Sequence, residues 1–224
     1  HEAPTPAAHE ERRRLFAQEA KAMARLSHPN IVRLLDFGGH EGTAYLVTEL
    51  LDRKRTLKNE VRARATTGKP VEPWEVKSIV MQIVSGLEAA HNESIIHRDI
   101  KPENIILQVA PGHPDFVRIL DFGLAKFVDE RSHTQSLLGT PMYMAPEQME
   151  GRHIGPWTDL YALGVIAYEL MTGYRPFPND AATILRAKRN PESPQITTIK
   201  QVASSDRRFI QCICCAIMPA AAER

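Results

Sequence analysis

His97, Arg98, Asp99, Ile100, Lys101, Pro102, Glu103 and Asn104 follow one another without a break, and seventeen positions after Asn104 come Asp121, Phe122 and Gly123. Both stretches are polar punctuation between apolar runs. Phosphoryl transfer needs a carboxylate that orients an attacking hydroxyl and accepts its proton, and side-chain oxygens that hold Mg²⁺ on nucleotide phosphates. Asp99 suits the first task, while Asn104 and Asp121 offer the oxygen ligands that a hard cation prefers. Lys101, two residues after Asp99, is placed to neutralise charge on the transferring phosphoryl group.

A third element, Ala145-Pro146-Glu147, lies downstream in the matching order. With these three elements the chain resembles the eukaryotic-type (Hanks-type) serine/threonine protein kinase family over nearly its whole length. Tyr143-Met144-Ala145-Pro146-Glu147-Gln148 and Asp159-Leu160-Tyr161-Ala162-Leu163-Gly164 resemble its bacterial branch. The resemblance implies an α+β, protein-kinase-like fold: a partial small lobe at 1–48 (the αC helix and a β hairpin), a hinge at 49–53, and a mainly helical large lobe at 54–224. It also implies ATP and Mg²⁺ as cofactors and Ser/Thr hydroxyls of proteins as acceptors. The lysine at position 101 is the family's mark of serine/threonine specificity.

Further roles are carried over from the resemblance residue by residue. Glu19 is the candidate for the helix glutamate that pairs with the ATP-binding lysine. Thr48 occupies the pocket-depth position, Glu49 to Leu51 the hinge, Asp52 a place within reach of the ribose, and Ile106 the floor beneath adenine. Phe122 is expected to stack with Met23, Leu34 and His97. Thr140 resembles the threonine that bonds near Asp99 and Lys101. The segment from Asp121 to Glu147 resembles an activation segment, with Thr134 or Ser136 as phosphosite and Arg98 as the group that would bind the phosphate. Asp159 is expected to anchor the catalytic-loop backbone, and Glu147 to pair with Arg224.

Along the chain, Leu15, Phe16, Ala20, Met23 and Leu26 recur at helical spacing, which predicts an amphipathic helix from about His9 to Leu26 that stops at Ser27-His28-Pro29-Asn30. Ile31 to Phe37 and Ala44 to Glu49, separated by glycines, read as a hairpin. Asp52 to Arg64 reads as a charged connection. Val76, Ile79, Val80, Ile83, Val84 and Leu87 form one apolar stripe of a helix from about Pro73 to Asn92.

Residues 1–18 contain no lysine and no glycine, so the strand lysine and Gly-rich loop of the family are not in this sequence. With His1 first and Arg224 inside a continuing helical pattern, the chain reads as a piece of a longer one that is a poor catalyst alone. A formal charge of +1, from 28 basic and 27 acidic residues, creates no global field for nucleic acid or a membrane surface. No apolar run approaches the roughly 20 residues that cross a bilayer. These features predict no nucleic-acid partner and no membrane segment in this chain, while the resemblance implies protein substrates; a cytoplasmic location is expected, with a membrane anchor in the parent left open. Cys212, Cys214 and Cys215 lie too close together to form a disulfide framework, and the surrounding stretch offers no His, Asp or Glu for zinc; a buried helix face is expected. A pseudokinase scaffold or regulatory binding module remains the alternative function. A small-molecule phosphotransferase fits poorly, because such enzymes lack the Ala145-Pro146-Glu147 element.

Overall fold

Ala-, Glu- and Arg-rich sequence with few breakers forms the first helix, α1 (Pro6–Arg25). The computed structural model describes residues 6–40, 43–51, 55–67, 72–122, 141–177, 181–190 and 207–218. Phe16, Ala20 and Met23 of α1 are buried, and Leu26 just beyond it is too. Leu15 departs from the expected stripe and is 40% exposed, because its neighbour Phe16 takes the inward position. The hairpin forms as β1 (Leu34–His40) against β2 (Thr43–Thr48), antiparallel, with an irregular register between Leu34 and Asp36. It starts later than the sequence predicts. Ile31 instead bridges Ile119, and Val32 N–H donates to the Ile119 carbonyl at 2.9 Å.

Where the sequence reads as a charged connection, the structure has a helix, α2 (Leu57–Thr67). Thr56 caps it, its hydroxyl accepting from Asn59 N–H at 3.1 Å. Only a narrow apolar edge docks, with Leu57 fully buried and Val61 packed half-buried against the core. Helix α3 (Pro73–Asn92) has the predicted bounds. Pro73 opens its first turn and the Glu75 carboxylate reaches back to Glu72 N–H at 3.1 Å.

A second hairpin, β3 (Ile105–Ala110) and β4 (His113–Ile119), lies within the mainly helical part of the chain, where the sequence reading assigned no element. Pro111 and Gly112 make its turn, Gly112 adopting φ 76°, a conformation that glycine tolerates at no steric cost. Among the described residues four helices follow: α4 (Pro146–Met149), α5 (Pro156–Thr172), α6 (Ala181–Lys188) and α7 (Arg207–Ala216). Helix α5 is buried on nearly every side, and both α3 and α7 pack on it. Gly164 allows the approach of α7, since a Cβ there would lie 2.7 Å from the Ala216 Cβ. Of the three cysteines in α7, Cys214 is buried beside Ile210 and Ile213, whereas Cys212 and Cys215 are exposed. The expected cysteine-lined buried face is therefore corrected, for residues 212, 214 and 215 cannot all point to one side of a helix.

One hydrophobic cluster joins α1, the inner faces of β3 and β4, α3 and α5. A small second one holds Val32, Ile106 and Leu120, with Leu51 packed against it. None of the described helices is long and apolar enough to cross a membrane.

Candidate functional site

The loop after α3 takes its shape from one buried carboxylate. Asp159, in the first turn of α5 and 1% exposed, accepts from His97 N–H at 2.9 Å and from Arg98 N–H at 2.8 Å. His91 Nε2 lies 2.8 Å from the same carboxylate. Arg98 has φ 66° and Asp121 φ 52°, left-handed conformations that cost an L-residue about 1–3 kcal/mol and persist where the surroundings enforce them. Gln148 of α4 adds a further tie, donating from Nε2 to the Arg98 carbonyl at 2.8 Å.

This anchoring presents Asp99 with about a third of its side chain exposed. Lys101 Nζ donates to Asp99 Oδ2 at 2.7 Å, both side chains being partly shielded. Asn104 Nδ2 donates to the Asp99 carbonyl at 2.9 Å and to Oδ2 at 3.3 Å. The buried amide nitrogen of Asn104 is thus engaged within the loop, which leaves its amide oxygen as the atom that could ligate a metal. The Asn104 carbonyl accepts from Leu120 N–H at 2.8 Å, so the residue before Asp121 is tied to the same turn. Asp121 itself is exposed. Two oxygen donors beside an ion-paired carboxylate fit a hard divalent ion that shares its remaining ligands with phosphate oxygens.

His97 is fully buried. Its Nε2 lies 2.8 Å from the Leu120 carbonyl, and its Nδ1 accepts from Asp99 N–H at 3.3 Å. That pattern requires a neutral ring protonated on Nε2. Burial drives its pKa below 6.5, against the opposing pull of Asp159, the Leu120 carbonyl, Asp99 and Asp121. The unfolded chain takes up this proton at 6.5 and the folded one only lower, so the stabilisation is present above pH 6.5 and lost as pH falls toward the folded value. The expected result is a ¹⁵N NMR titration midpoint for this ring below 6.5; a midpoint at or above 6.5 would refute it. Phe122 is buried against His97, ring centroids 4.5 Å apart, and Met23, Leu34 and Phe122 belong to one core cluster.

The hinge positions fall as follows. Thr48 ends β2 opposite Leu34 and is exposed. The Glu49 carboxylate accepts from Arg33 N–H at 2.7 Å and meets the Arg118 guanidinium of β4. Glu49 N–H donates to the Arg33 carbonyl at 3.1 Å. Leu50 is 98% exposed, whereas Leu51 packs with Val32, Ile106 and Leu120. Leu51 and Ile106 are therefore brought together. Asp52, Gly123, Ser132, Thr134, Ser136, Thr140 and Arg224 lie outside the described residues.

Glu19 finds a partner that the sequence reading did not foresee. Its Oε1 lies 3.2 Å from Arg98 Nη1, with the two side chains 35% and 32% exposed. Glu147 is buried and accepts from Thr158 Oγ1 at 2.9 Å. The sequence reading also missed His91, Gln148 and Lys188. No local pattern marks them, since each acquires its role from a partner about 45 to 70 positions away.

The protein kinase domain family model matches residues 4–219. Serine/threonine-protein kinase pkn3 of Myxococcus xanthus is 41% identical over 189 residues, which cover 80% of this chain and 33% of that protein. Serine/threonine-protein kinase PrkC of Bacillus subtilis is 37% identical over 177 residues, 78% of this chain and 26% of that protein. The chain thus spans a third or less of the length of these curated relatives. Among solved structures, the Mycobacterium tuberculosis PknI kinase domain superposes with a TM-score of 0.71 at 25% identity, covering 98% of this chain and 77% of that one.

Proposed function

The chain belongs to the protein kinase family, and from that premise we propose that it carries the catalytic part of an enzyme that transfers the γ-phosphate of ATP to serine or threonine hydroxyls of proteins. The observation that carries this reading is the Asp99 carboxylate, held by Lys101 at 2.7 Å and Asn104 at 3.3 Å and partly open to solvent. A carboxylate so fixed can orient a hydroxyl and take its proton during attack. Lys101, on the same oxygen, contributes a positive charge beside the transferring group. The amide oxygen of Asn104 and the carboxylate of Asp121 would hold Mg²⁺. Once bound, that ion would offset the negative charge of the nucleotide phosphates. Leu51 and Ile106 supply apolar surface for the adenine ring. A site that consumes ATP suits the cytoplasm.

A binding scaffold would have no need of the base and both metal-ligand positions, and all three are present. The test is to express the full length that the gene encodes and incubate it with Mg²⁺, labelled ATP and a generic protein such as casein. The expected result is label on Ser and Thr that chelation of the metal prevents. Absence of transfer despite measurable nucleotide binding would favour the scaffold.

A further inference from the structure

A lysine at the end of a short surface helix ordinarily projects into water, yet Lys188 in the last turn of α6 is 1% exposed. An ammonium has three N–H donors, and here each meets a backbone carbonyl. Nζ donates to Pro141 O at 2.6 Å, to Met142 O at 2.8 Å and to Met144 O. The same atom lies 5.1 Å from the Tyr161 ring centroid and 5.3 Å from that of Phe177, and these rings stack on each other. Burial pushes the Lys188 pKa down to about 7, opposed by the charge of Glu147. Taking a charge out of water costs several kcal/mol, so an apolar side chain would serve better if filling space were the whole task.

The segment that Lys188 grips adjoins the reacting carboxylate. Tyr143 and Met144 line one small recess together with Arg98, Asp99 and Gln148. The far end of the segment is tied down as well, with Ala145 N–H donating to Gln148 Oε1 at 3.0 Å and Gln148 Nε2 to the Arg98 carbonyl. Residues 141–145 are irregular, with no strand or helix ladder to hold them. Their backbone is therefore positioned by Lys188 at one end and Gln148 at the other. A polypeptide whose hydroxyl reaches Asp99 must run beside them.

We propose that Lys188 is a positioning residue for the protein substrate: by clamping the carbonyls of Pro141, Met142 and Met144 it shapes the ledge beside Asp99 that receives the acceptor polypeptide. The proposal rests on the kinase reading above and adds a residue that sets affinity for the acceptor, not for ATP.

The experiment uses the full-length gene product with an acceptor peptide and compares wild type with Lys188→Met, which keeps the apolar stem against Tyr161 and Phe177 but donates no hydrogen bond. The expected result is a peptide KM raised about tenfold, the scale of one net hydrogen bond to a charged group, with the KM for ATP within about twofold of wild type. Lys188→Arg, which keeps the charge and some of the bonds, is expected to fall between the two. It also carries the test if Lys188→Met does not fold. An unchanged peptide KM in a folded variant overturns the proposal, as does a loss confined to kcat and melting temperature. If wild type neither phosphorylates nor binds any peptide, the kinase reading itself fails, and this proposal with it.

Discussion

Asp99→Asn is expected to abolish phosphoryl transfer, with kcat reduced about 10²- to 10⁴-fold, the contribution typical of a positioned general base. The substitution preserves size and can still accept from Lys101, which lies 2.7 Å from Oδ2 in the native protein. What it removes is the negative charge and the basic lone pair that would take the hydroxyl proton. It also introduces an amide that can face the Asn104 amide nitrogen, now 3.3 Å from Oδ2, where two donors would conflict. Because the side chain is 31% exposed, global stability should move little. The measurement is a single-turnover rate at saturating Mg·ATP together with a thermal melt. A rate within about threefold of wild type would remove Asp99 from the catalytic role, and a collapsed melt would assign any lost rate to unfolding.

Asp159→Ala is expected to produce the largest loss of stability, about 3–5 kcal/mol, the usual result of removing one partner from a buried charged network. Three groups converge on this carboxylate: His97 N–H, Arg98 N–H and His91 Nε2, at 2.9, 2.8 and 2.8 Å. Without it two loop N–H groups lose their partner. The left-handed conformation of Arg98 also loses the bond that offsets its strain. For a domain of this size, a loss on that scale lowers Tm by about 6–20 °C. Activity should fall with it, even in the cold where the variant remains folded, since Asp99 is the next residue of the loop. A Tm change under about 2 °C would mean that the loop holds its shape without Asp159.

Much of this site was legible residue by residue, because its chemistry is packed into short stretches. Asp99, Lys101 and Asn104 lie within six positions, and the pairing of all three is set by the turn that Pro102 opens. Helix α3 was legible to its ends, since its apolar stripe, Pro73 and the Glu75 carboxylate agree locally. The misses have equally local causes. In α2 the helix-forming residues are polar and only Leu57 is buried among its described side chains, so the periodic signal is faint. In β4, Pro114 interrupts the strand pattern because it has no N–H for a ladder, and it is tolerated there because it is exposed.

By itself, the order of residues determined which groups could do chemistry and that they share one loop system, because turn geometry and strand or helix period depend on neighbours a few positions apart. Only the tertiary structure decided which distant groups meet. It turned Glu19 toward Arg98, brought His91 to the Asp159 carboxylate, pinned the Glu49 side chain with Arg118, and buried Lys188 among three carbonyls of a segment more than 40 positions earlier. Such pairings follow from how α1, α5, α6 and β4 pack around the core. A carboxylate or ammonium drawn out of water there takes the nearest partner that can satisfy it.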